Sequence, residues 1–593
     1  MKYIKMLPSG AIKLNGMVDY YVNFVENLHL KDRAIWDKFV KVYTDLADNE
    51  DYGWRGEYWG KMMRGACMCY YYSKDSELYN VLTYAVEELL KAQDQLGRFS
   101  SYTTKREFNY WDTWGRKYII TGLLHYYDIC TDQLLKTRII SALKRHIDYI
   151  ISKIGKGDGK RDITLTSEVF GGVNSCSILE TIIDFYNKTK EQKYLDFAEY
   201  IISTGGCANG NLIDAVNDKT LRPSQYPVHK AYEMISFFEG LLEYYKIKKE
   251  EKYLDTVLNF IDAIQQNEIT VIGCAGCLSE DLNDARYTQT QTYELPTQET
   301  CVTVTWMRLL AKAFLITGNA KYIDSFEVSA LNGLYGSINV NKLQCIRKVT
   351  FEDCGVFAFD SYSPLIDDER NRGMAGLRDL PDGGFYGCCA CIGSVAVALV
   401  PLTAVLKENS DVYVNTYYDG KFDIEQGFSF NIQSNYPVDN QVLITITSDC
   451  SEKRTLKLRV PNWCDNFIIE SDGEVKDLVG GYKSISKTWL KGDVIKLNIT
   501  KSIKSFELNG YTSYYYGPIL LARDDKKEEI MGKPSCVDFD VTKPTFNKIK
   551  ENIGEMVRFE VGDNNQKIIL TDYASCGKLW NEHNKLSVFF RKQ

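Results

Sequence analysis

The sequence lacks any long apolar run, which excludes an ordinary membrane-spanning helix. No stretch reaches about 18 consecutive apolar residues, close to what a bilayer crossing requires. The opening MKYIKMLPSG also lacks the apolar core of about 7–15 residues that a secretory signal carries. We therefore expect a cytoplasmic protein with no membrane partner.

Basic residues are not in excess, and prolines are few. The 71 lysines and arginines stand against 79 aspartates and glutamates, giving a net charge of -8, which argues against a nucleic-acid partner. Only 12 prolines occur and 45% of the residues are hydrophobic, as in folded proteins. The 593 residues should form about two to four domains. A small oligosaccharide or glycoside suits an aromatic content of 13%.

The 17 cysteines cannot form a disulfide framework in a cytoplasmic chain. The count is odd, and the cytosol keeps thiols reduced. Most of them should therefore be small buried hydrophobic residues. A minority could hold a metal ion.

The first two thirds of the chain repeat one helical pattern. An aromatic residue ends an apolar helix, a short polar turn follows and a new helix begins, at Tyr71, Tyr126, Phe185, Tyr244 and Phe314. The repeats are spaced roughly 55–70 residues apart, which predicts five or six helical hairpins. Long irregular segments between them could line one mouth of a ring. We predict a closed (α/α)₆ toroid as the catalytic domain.

Near residue 405 the apolar periodicity changes from about 3.6 to 2, which marks a change from helices to strands. Short β-branched runs then continue to the end of the chain. We predict a mainly α protein with a β tail: a toroid over 1–405, an antiparallel β-sandwich over 406–525, and a β-rich extension or second small β-domain over 526–593. The β-region is a candidate for bracing the toroid or for a homodimer contact.

Two clusters of metal-binding residue types each precede an apolar helix. Glu299 and Cys301 are two residues apart, so they can chelate together only where the chain enters a helix. Cys388 and Cys389 open a second helix, whose N-terminal partial charge favours thiolates. Three thiolates and one carboxylate suit Zn²⁺ in tetrahedral geometry. Two alternatives remain open: a purely structural zinc site, or chance proximity of buried cysteines.

These clusters, the segment Gly273-Cys-Ala-Gly-Cys-Leu-Ser-Glu280 and the hairpin repeat resemble glycoside hydrolase family 127, the β-L-arabinofuranosidase family. The likeness covers nearly the whole chain. It includes Leu7-Pro-Ser-Gly-Ala-Ile-Lys, Gly56-Glu-Tyr-Trp-Gly-Lys, Arg459-Val-Pro-Asn-Trp463 and Tyr516-Gly-Pro-Ile. After the cysteine pair, however, the chain has Ala390-Cys391-Ile392-Gly393 where the family's arabinofuranosidases commonly have Pro-Pro-Asn.

The resemblance implies a retaining exo-glycosidase with Zn²⁺ held by Glu299, Cys301, Cys388 and Cys389. Cys388 would be the nucleophile and Glu280 the acid/base, releasing β-L-arabinofuranose or a related sugar. Asp281, Asp284 and Glu294 remain rival acids.

Sugar contacts are predicted from position. His229 lies where the family carries an inward histidine, and Arg116 and Lys117 could contact an acidic or substituted sugar. Further candidates are Trp111 and Trp114 as a stacking wall, with Tyr362 and Arg372 in the loop before the cysteine pair.

Two other functions stay open at this stage. One is an (α/α)₆ lyase or unsaturated-uronyl hydrolase in which the cysteines are structural. The other is a non-catalytic sugar-binding protein with a structural zinc.

Overall fold

The structure is a computed structural model of the full chain. It describes residues 3–46, 54–291, 298–340, 358–370, 378–379, 385–425, 427–470, 473–475, 481–528, 530, 532–550, 554–578 and 583–593. Helices dominate up to residue 404 and strands dominate after it.

The described part contains seventeen α-helices, and π-helical turns follow two of them, α1 and α15. They are α1 (Met17–Val25), α2 (Arg33–Asp45), α3 (Tyr58–Ser73), α4 (Ser76–Lys91), α5 (Asp112–Ile129), α6 (Gln133–Lys153), α7 (Val173–Cys176), α8 (Leu179–Thr189), α9 (Gln192–Ser203), α10 (Leu212–Asn217), α11 (Ala231–Lys248), α12 (Glu251–Asn267), α13 (Ala285–Thr288), α14 (Thr300–Thr317), α15 (Ala320–Val328), α16 (Tyr335–Ser337) and α17 (Cys388–Ala404).

Six of these helices form a closed inner ring. In the order α3, α5, α8, α11, α14 and α17, each contacts the next, and α17 contacts α3. Helices α4, α6, α9, α12 and α15 pack outside their inner partners, and α1 covers α17. The predicted (α/α)₆ toroid is confirmed.

The inner helices differ from the outer ones in being buried on every side. All residues of α17 are buried, whereas α4 and α12 each bury one apolar stripe, as surface helices do. Among the described helices, α14 is long and apolar enough to cross a bilayer, and 78% of that window is buried inside the protein. Its composition is therefore explained by its place in the toroid core.

Close backbone contact brings α3 and α5 together at the axis. A Cβ atom on Gly60 would lie 1.8 Å from the carbonyl oxygen of Tyr118, so no larger residue fits there without a shift. Gly122 on α5 faces the same region of α3, with Gly60 Cα 3.0 Å from its ideal Cβ position. These glycines set the position of Lys61, the residue after Gly60.

The β-region contains three larger sheets. The first has the order β1 (Lys5–Met6), β10 (Val405–Glu408), β11 (Asp411–Val414), β15 (Lys453–Val460), β18 (Gly481–Thr488). The second has the order β17 (Gly473–Val475), β16 (Asn466–Ile469), β19 (Val494–Thr500), β14 (Gln441–Ile446), β13 (Phe428–Ser434), β12 (Gly420–Glu425), β2 (Ile12–Leu14). The third has the order β20 (Ile503–Leu508), β21 (Tyr511–Tyr516), β22 (Ile519–Asp524), β26 (Lys567–Asp572), β25 (Arg558–Gly562), β24 (Thr545–Lys548), with β27 (Lys585–Ser587) and β7 (Asp368–Glu369) at its side.

Four two-stranded pairs complete the described strands. They are β3 (Gly206–Cys207) with β4 (Gly210–Asn211), β5 (Gln298–Glu299) with β6 (Tyr362–Ser363), β8 (Arg378–Asp379) with β9 (Phe385–Tyr386), and β23 (Cys536–Val537) with β28 (Arg591–Lys592). The β5–β6 pair anchors the strand that carries Glu299.

The predicted domain limits differ from the structure in two places. Strands β1 and β2 come from the N-terminal segment, yet they pair with β10 and β12 of the first two sheets. The third sheet begins at Ile503, not near 526, and it encloses its own apolar cluster around Tyr514, Leu521 and Phe559. The alternating pattern is the same on both sides of residue 503, so periodicity alone does not mark where one sheet ends.

A buried ion pair network joins the toroid to the first sheet. Arg459 on β15 donates to Asp324 at 2.6 Å and to Glu327 at 2.8 Å, both on α15. The indole of Trp463 also donates to Glu327 at 2.8 Å. Arg459 is fully buried, so the two carboxylates balance its charge, and the Asn415 carbonyl oxygen and the Tyr436 hydroxyl accept further hydrogen bonds from it.

We predict that Arg459→Met lowers stability by about 3–5 kcal/mol, because it leaves two buried carboxylates without a counter-charge. The midpoint of urea unfolding measures this. Lys487→Met is the control: its pair with Asp493 is exposed and should contribute less than about 1 kcal/mol. Equal midpoints for the two variants would contradict the role of Arg459.

Candidate metal and active site

The inner helices begin at a common pocket. Glu57 and Lys61 lie at the start of α3, Trp111 and Trp114 at the start of α5, and Cys388 at the start of α17. The pocket is a narrow cavity of about 70 Å³ that opens to solvent. Its described lining also includes Phe170, Lys230, Tyr232, Glu233, Glu280 and Glu299.

Four buried acidic side chains meet at the pocket floor. The ligand atoms of Glu299, Cys301, Cys388 and Cys389 all lie within 4.8 Å of one another. The Cys301 and Cys389 sulfurs are 3.3 Å apart, and Cys389 and Cys388 lie 3.5 and 4.0 Å from Glu299 Oε1. The structure therefore brings together all four residues that the sequence assigned to a metal site.

Local structure explains how residues two apart in sequence can share a ligand. Glu299 has extended backbone and is the N-cap of α14, so its side chain is not yet bound by helical geometry. Cys388 and Cys389 are the first two residues of α17, after the extended Gly387. Both helix starts place partial positive charge toward the cluster, which favours anionic ligands.

The electrostatics of this cluster call for a cation. Hydrogen bonds from Cys301 and Cys389 lower the pKa of the Cys388 thiol well below its usual value. Burial raises the pKa of Cys301, Cys389 and Glu299 well above their usual values. Four acidic groups this close cannot all ionise without a compensating positive charge. The donor set can hold a metal ion, and its three sulfurs favour a soft or borderline one.

A buried lysine lies beside the cluster. Lys61 Nζ is 2.9 Å from Glu57 Oε1 and 4.0 Å from Cys301 Sγ. Although burial opposes it, the charges of Cys301 and Glu57 raise the pKa of Lys61 well above its usual value. The other oxygen of Glu57 accepts a hydrogen bond from the Trp114 indole. Lys61 therefore supplies a fixed positive charge next to the thiolates.

Glu280 lies at the pocket wall, held by two side chains. Lys230 Nζ donates to Glu280 Oε2 at 2.7 Å, and the Tyr362 hydroxyl donates to Oε1 at 2.6 Å. Lys230 also binds the carbonyl oxygen of Ser279 at 3.1 Å. Ser279 and Glu280 have φ values of 53° and 60°, a left-handed conformation that non-glycine residues rarely adopt. The surrounding contacts maintain this backbone, which is a feature of functional loops.

Glu268 binds the backbone of the loop that follows Glu280. The carboxylate of Glu268 accepts hydrogen bonds from the amides of Asn283, Asp284 and Ala285 at 2.9, 3.0 and 3.0 Å. Burial raises the pKa of Glu268 to about 7. The end of the Glu280 loop is thus fixed to the end of α12.

The rival acids lie elsewhere. Asp281 faces His229 at 3.7 Å in a neighbouring surface depression. Asp284 lies 3.3 Å from Arg222 and precedes α13. Glu294 is outside the described residues. Of the four candidates, the structure brings Glu280 to the described pocket lining.

The predicted sugar contacts separate into two groups. Trp111 and Trp114 line the pocket, and Tyr362 reaches it through Glu280. His229 is not in the described lining of the pocket, because its half-exposed side chain lies in the neighbouring depression. Its neighbours Lys230, Tyr232 and Glu233 line the pocket instead. Arg372 is outside the described residues.

Arg116 and Lys117 lie beneath the pocket, away from its lining. Arg116 is fully buried and pairs with Asp112 at 3.0 Å and Glu107 at 3.1 Å. Lys117 donates to Ser177 at 3.1 Å, and burial lowers its pKa to about 7. Neither residue belongs to the described lining of the pocket, so the structure gives no support for a sugar contact from either.

Sequence reasoning assigned no role to Glu57, Lys61, Lys230 and Glu233. The first two lie in the Gly56-Glu-Tyr-Trp-Gly-Lys segment that carried the family resemblance. A charged residue at the start of an otherwise apolar inner helix is the signal that could have identified them. Lys230 and Glu233 mark the start of α11 in the same way.

Sequence comparison identifies the family. Residues 6–351 match the sequence profile described as "Beta-L-arabinofuranosidase, GH127 catalytic domain", and residues 411–500 match the profile of the GH127 middle domain. The chain belongs to glycoside hydrolase family 127. No curated protein matches the chain significantly. This family 127 member is thus a glycoside hydrolase, as the sequence motifs predicted.

Solved structures share the fold along the whole chain. A structure described as a GH127 β-arabinofuranosidase has a TM-score of 0.76 at 16% identity, covering 100% of this chain and 98% of that one. A GH127 β-L-arabinofuranosidase from Geobacillus stearothermophilus T6 has a TM-score of 0.73 at 15% identity, covering 98% and 100%. A third, described as a glycoside hydrolase, has a TM-score of 0.71 at 15% identity, covering 100% and 98%. At these identities the likeness shows the fold.

We predict that the purified family 127 protein binds one metal ion per chain and that Cys389→Ala loses it, because two sulfurs and a carboxylate hold a soft or borderline metal less well than the full set. Elemental analysis after dialysis measures the ratio. Cys391→Ala is the matched control, since Cys391 is a buried cysteine on the same helix outside the four-residue cluster. Metal-free wild-type protein, purified under reducing conditions, would contradict the site.

Proposed function

We propose that the protein is a retaining exo-glycosidase in which Cys388 is the nucleophile and Glu280 is the acid/base. One observation carries the proposal: of the three clustered cysteines, Cys388 lines the pocket, as does Glu280. Cys388 is 8% exposed, whereas Cys301 and Cys389 are completely buried. A sugar in the pocket can therefore contact the Cys388 sulfur and the Glu280 carboxyl group.

We propose zinc as the metal, held by Glu299, Cys301, Cys388 and Cys389. The support is the donor set, since three sulfurs and a carboxylate suit tetrahedral zinc better than magnesium or calcium. Bound zinc would keep the thiols ionised at neutral pH. The helix starts and Lys61 add positive charge on the same side of the cluster.

The reaction follows the double displacement of retaining glycosidases, with sulfur in place of a carboxylate. The Cys388 sulfur attacks the anomeric carbon while Glu280 gives a proton to the departing oxygen, so the C–O bond breaks as a C–S bond forms. Glu280, now ionised, then takes a proton from water. The resulting hydroxyl replaces sulfur at the same carbon, which restores the Cys388 thiolate and the original anomeric configuration.

Lys230 and Tyr362 have positioning roles in this scheme. They hold the two oxygens of Glu280 at 2.7 and 2.6 Å, which fixes the direction in which the carboxyl group can deliver a proton. Trp111 and Trp114 offer an aromatic wall for the C–H face of a sugar.

We propose a β-L-arabinofuranosyl or related residue at the end of a small glycan or glycoside as the substrate. The family description and the names of the two GH127 neighbours support this choice. The confined pocket at the end of the inner ring suits one terminal sugar.

We predict that Cys388→Ser lowers kcat at least about 10⁴-fold, because a serine hydroxyl lacks the thiolate's nucleophilicity. Hydrolysis of a panel of aryl L-arabinofuranosides and other pentosides measures this, with proton NMR recording the configuration of the first product. Cys391→Ser serves as the matched control and should retain activity.

Metal content separates the two ways in which this variant could fail. If Cys388→Ser keeps its zinc and loses turnover, the sulfur acts directly. Near-normal turnover by Cys388→Ser, or an inverted product from the wild type, would overturn the mechanism. A wild type that binds sugars without hydrolysing any glycoside would favour a structural metal site.

We predict that the loss of activity in Glu280→Gln depends strongly on the leaving group of the substrate. Without the acid, kcat for alkyl glycosides should fall about 10²–10⁴-fold, whereas a dinitrophenyl glycoside, which needs no protonation, should be cleaved nearly as fast in the first step. Asp281→Asn is the control from the same loop, because Asp281 faces the neighbouring depression. Equal losses for both leaving groups in Glu280→Gln would remove Glu280 from the acid role.

A further inference from the structure

The charged groups of the pocket are mostly arranged in pairs. Lys61 is paired with Glu57 at 2.9 Å, and Lys230 is paired with Glu280 at 2.7 Å. Glu299 belongs to the metal cluster. Both lysines of the described lining are thus already engaged by carboxylates of the pocket itself, and the lining has four glutamates against these two lysines.

Glu233 is the remaining charged residue of this lining. It lies at the third position of α11, is 3% exposed, and its Oε2 atom is buried without a hydrogen-bond donor among the described residues. Burial raises the pKa of Glu233 to about 7. Buried polar atoms are nearly always hydrogen-bonded in native proteins, so an open acceptor at a pocket wall requires an explanation.

A ligand donor is the simplest partner for this atom. Sugar hydroxyls donate hydrogen bonds readily, and a carboxylate accepts two from neighbouring hydroxyls of one ring. A sugar carboxylate in the same place would bring a second negative charge beside Glu233, with both lysines already occupied. The wall therefore favours an uncharged sugar over a uronic acid.

We propose that Glu233 is a substrate-binding residue that accepts hydrogen bonds from the hydroxyls of a neutral sugar and disfavours sugars bearing a carboxylate. This inference rests on the proposed function for the location of the sugar, and it adds a residue that contacts the sugar and a physical reason why the sugar is neutral.

Binding of free monosaccharides tests the inference without any need for turnover. Calorimetry on the zinc-loaded full-length protein would compare L-arabinose, D-galactose and D-galacturonate, which differ at one ring substituent. We expect the wild type to bind at least one neutral sugar and to bind D-galacturonate at least about tenfold more weakly than D-galactose.

Two variants and a control then assign the effect to Glu233. Glu233→Gln and Glu233→Ala should each weaken binding of the neutral sugar at least about tenfold. In Glu233→Gln, the ratio of the affinity for the neutral sugar to the affinity for D-galacturonate should also be smaller than in the wild type. Glu168→Gln is the matched control, because Glu168 is an exposed acid in the neighbouring depression. On any glycoside that is hydrolysed, Glu233→Gln should raise KM more than it lowers kcat, with an unchanged Tm.

The outcomes distinguish this inference from the proposed function. Sugar binding that depends on Glu233, in a protein that hydrolyses nothing, would support the inference and overturn the proposed function. If the protein hydrolyses a glycoside and both Glu233 variants keep the wild-type sugar affinity and KM, the proposed function is supported and the inference about Glu233 is overturned. A wild type that binds none of the three sugars, or prefers D-galacturonate, would overturn the inference.

Discussion

The structure depends on one electrostatic constraint: four acidic ligands share a buried space with ligand atoms within 4.8 Å of one another. Such a cluster is unfavourable unless positive charge is brought to it. The toroid brings that charge through the starts of its inner helices, two of which carry the ligands themselves. Lys61 adds a full charge 4.0 Å from Cys301. The helix starts and Lys61 thus place positive electrostatic potential at the buried thiols.

The same constraint explains how the pocket is divided. One ion pair, Lys61 with Glu57, lies beside the sulfurs, and a second, Lys230 with Glu280, lies at the pocket wall, where we propose that Glu280 transfers the proton. Each pair keeps a buried charge compensated and holds a carboxylate in a fixed position at the pocket. Glu233, in contrast, keeps a buried carboxylate oxygen without a hydrogen-bond donor among the described residues, and we propose that this atom gives the pocket its preference among sugars.

Much of the fold could be predicted because the helices and strands follow simple periodicity. The hairpin repeat predicted the toroid, and the change near 405 coincides with the end of α17 at Ala404. Strands β1 and β2 pair with strands more than 390 residues later in the chain. This pairing is set by tertiary structure, so the local sequence pattern does not predict it. For the same reason the start of the third sheet at Ile503 was not visible in the sequence.

The metal ligands were predictable because both pairs open an apolar helix, where adjacent side chains can converge. The residues that line the pocket were harder to predict from the sequence. At the start of α11, Lys230 lines both the pocket and the neighbouring depression, whereas His229, one residue earlier, lines the depression but is not in the described lining of the pocket. Arg116 has a helix-surface pattern in the sequence, yet the ring buries it completely. Burial on all sides of an inner helix removes the periodicity that tells inward from outward.

The most direct test of the account is mass spectrometry of the enzyme quenched during turnover of a dinitrophenyl glycoside, using Glu280→Gln to slow release of the sugar. The account predicts one glycosyl group per chain, located on the peptide that begins α17 and attached at Cys388. Attachment to a carboxylate, or rapid release of dinitrophenol without any bound sugar, would contradict a thiolate nucleophile.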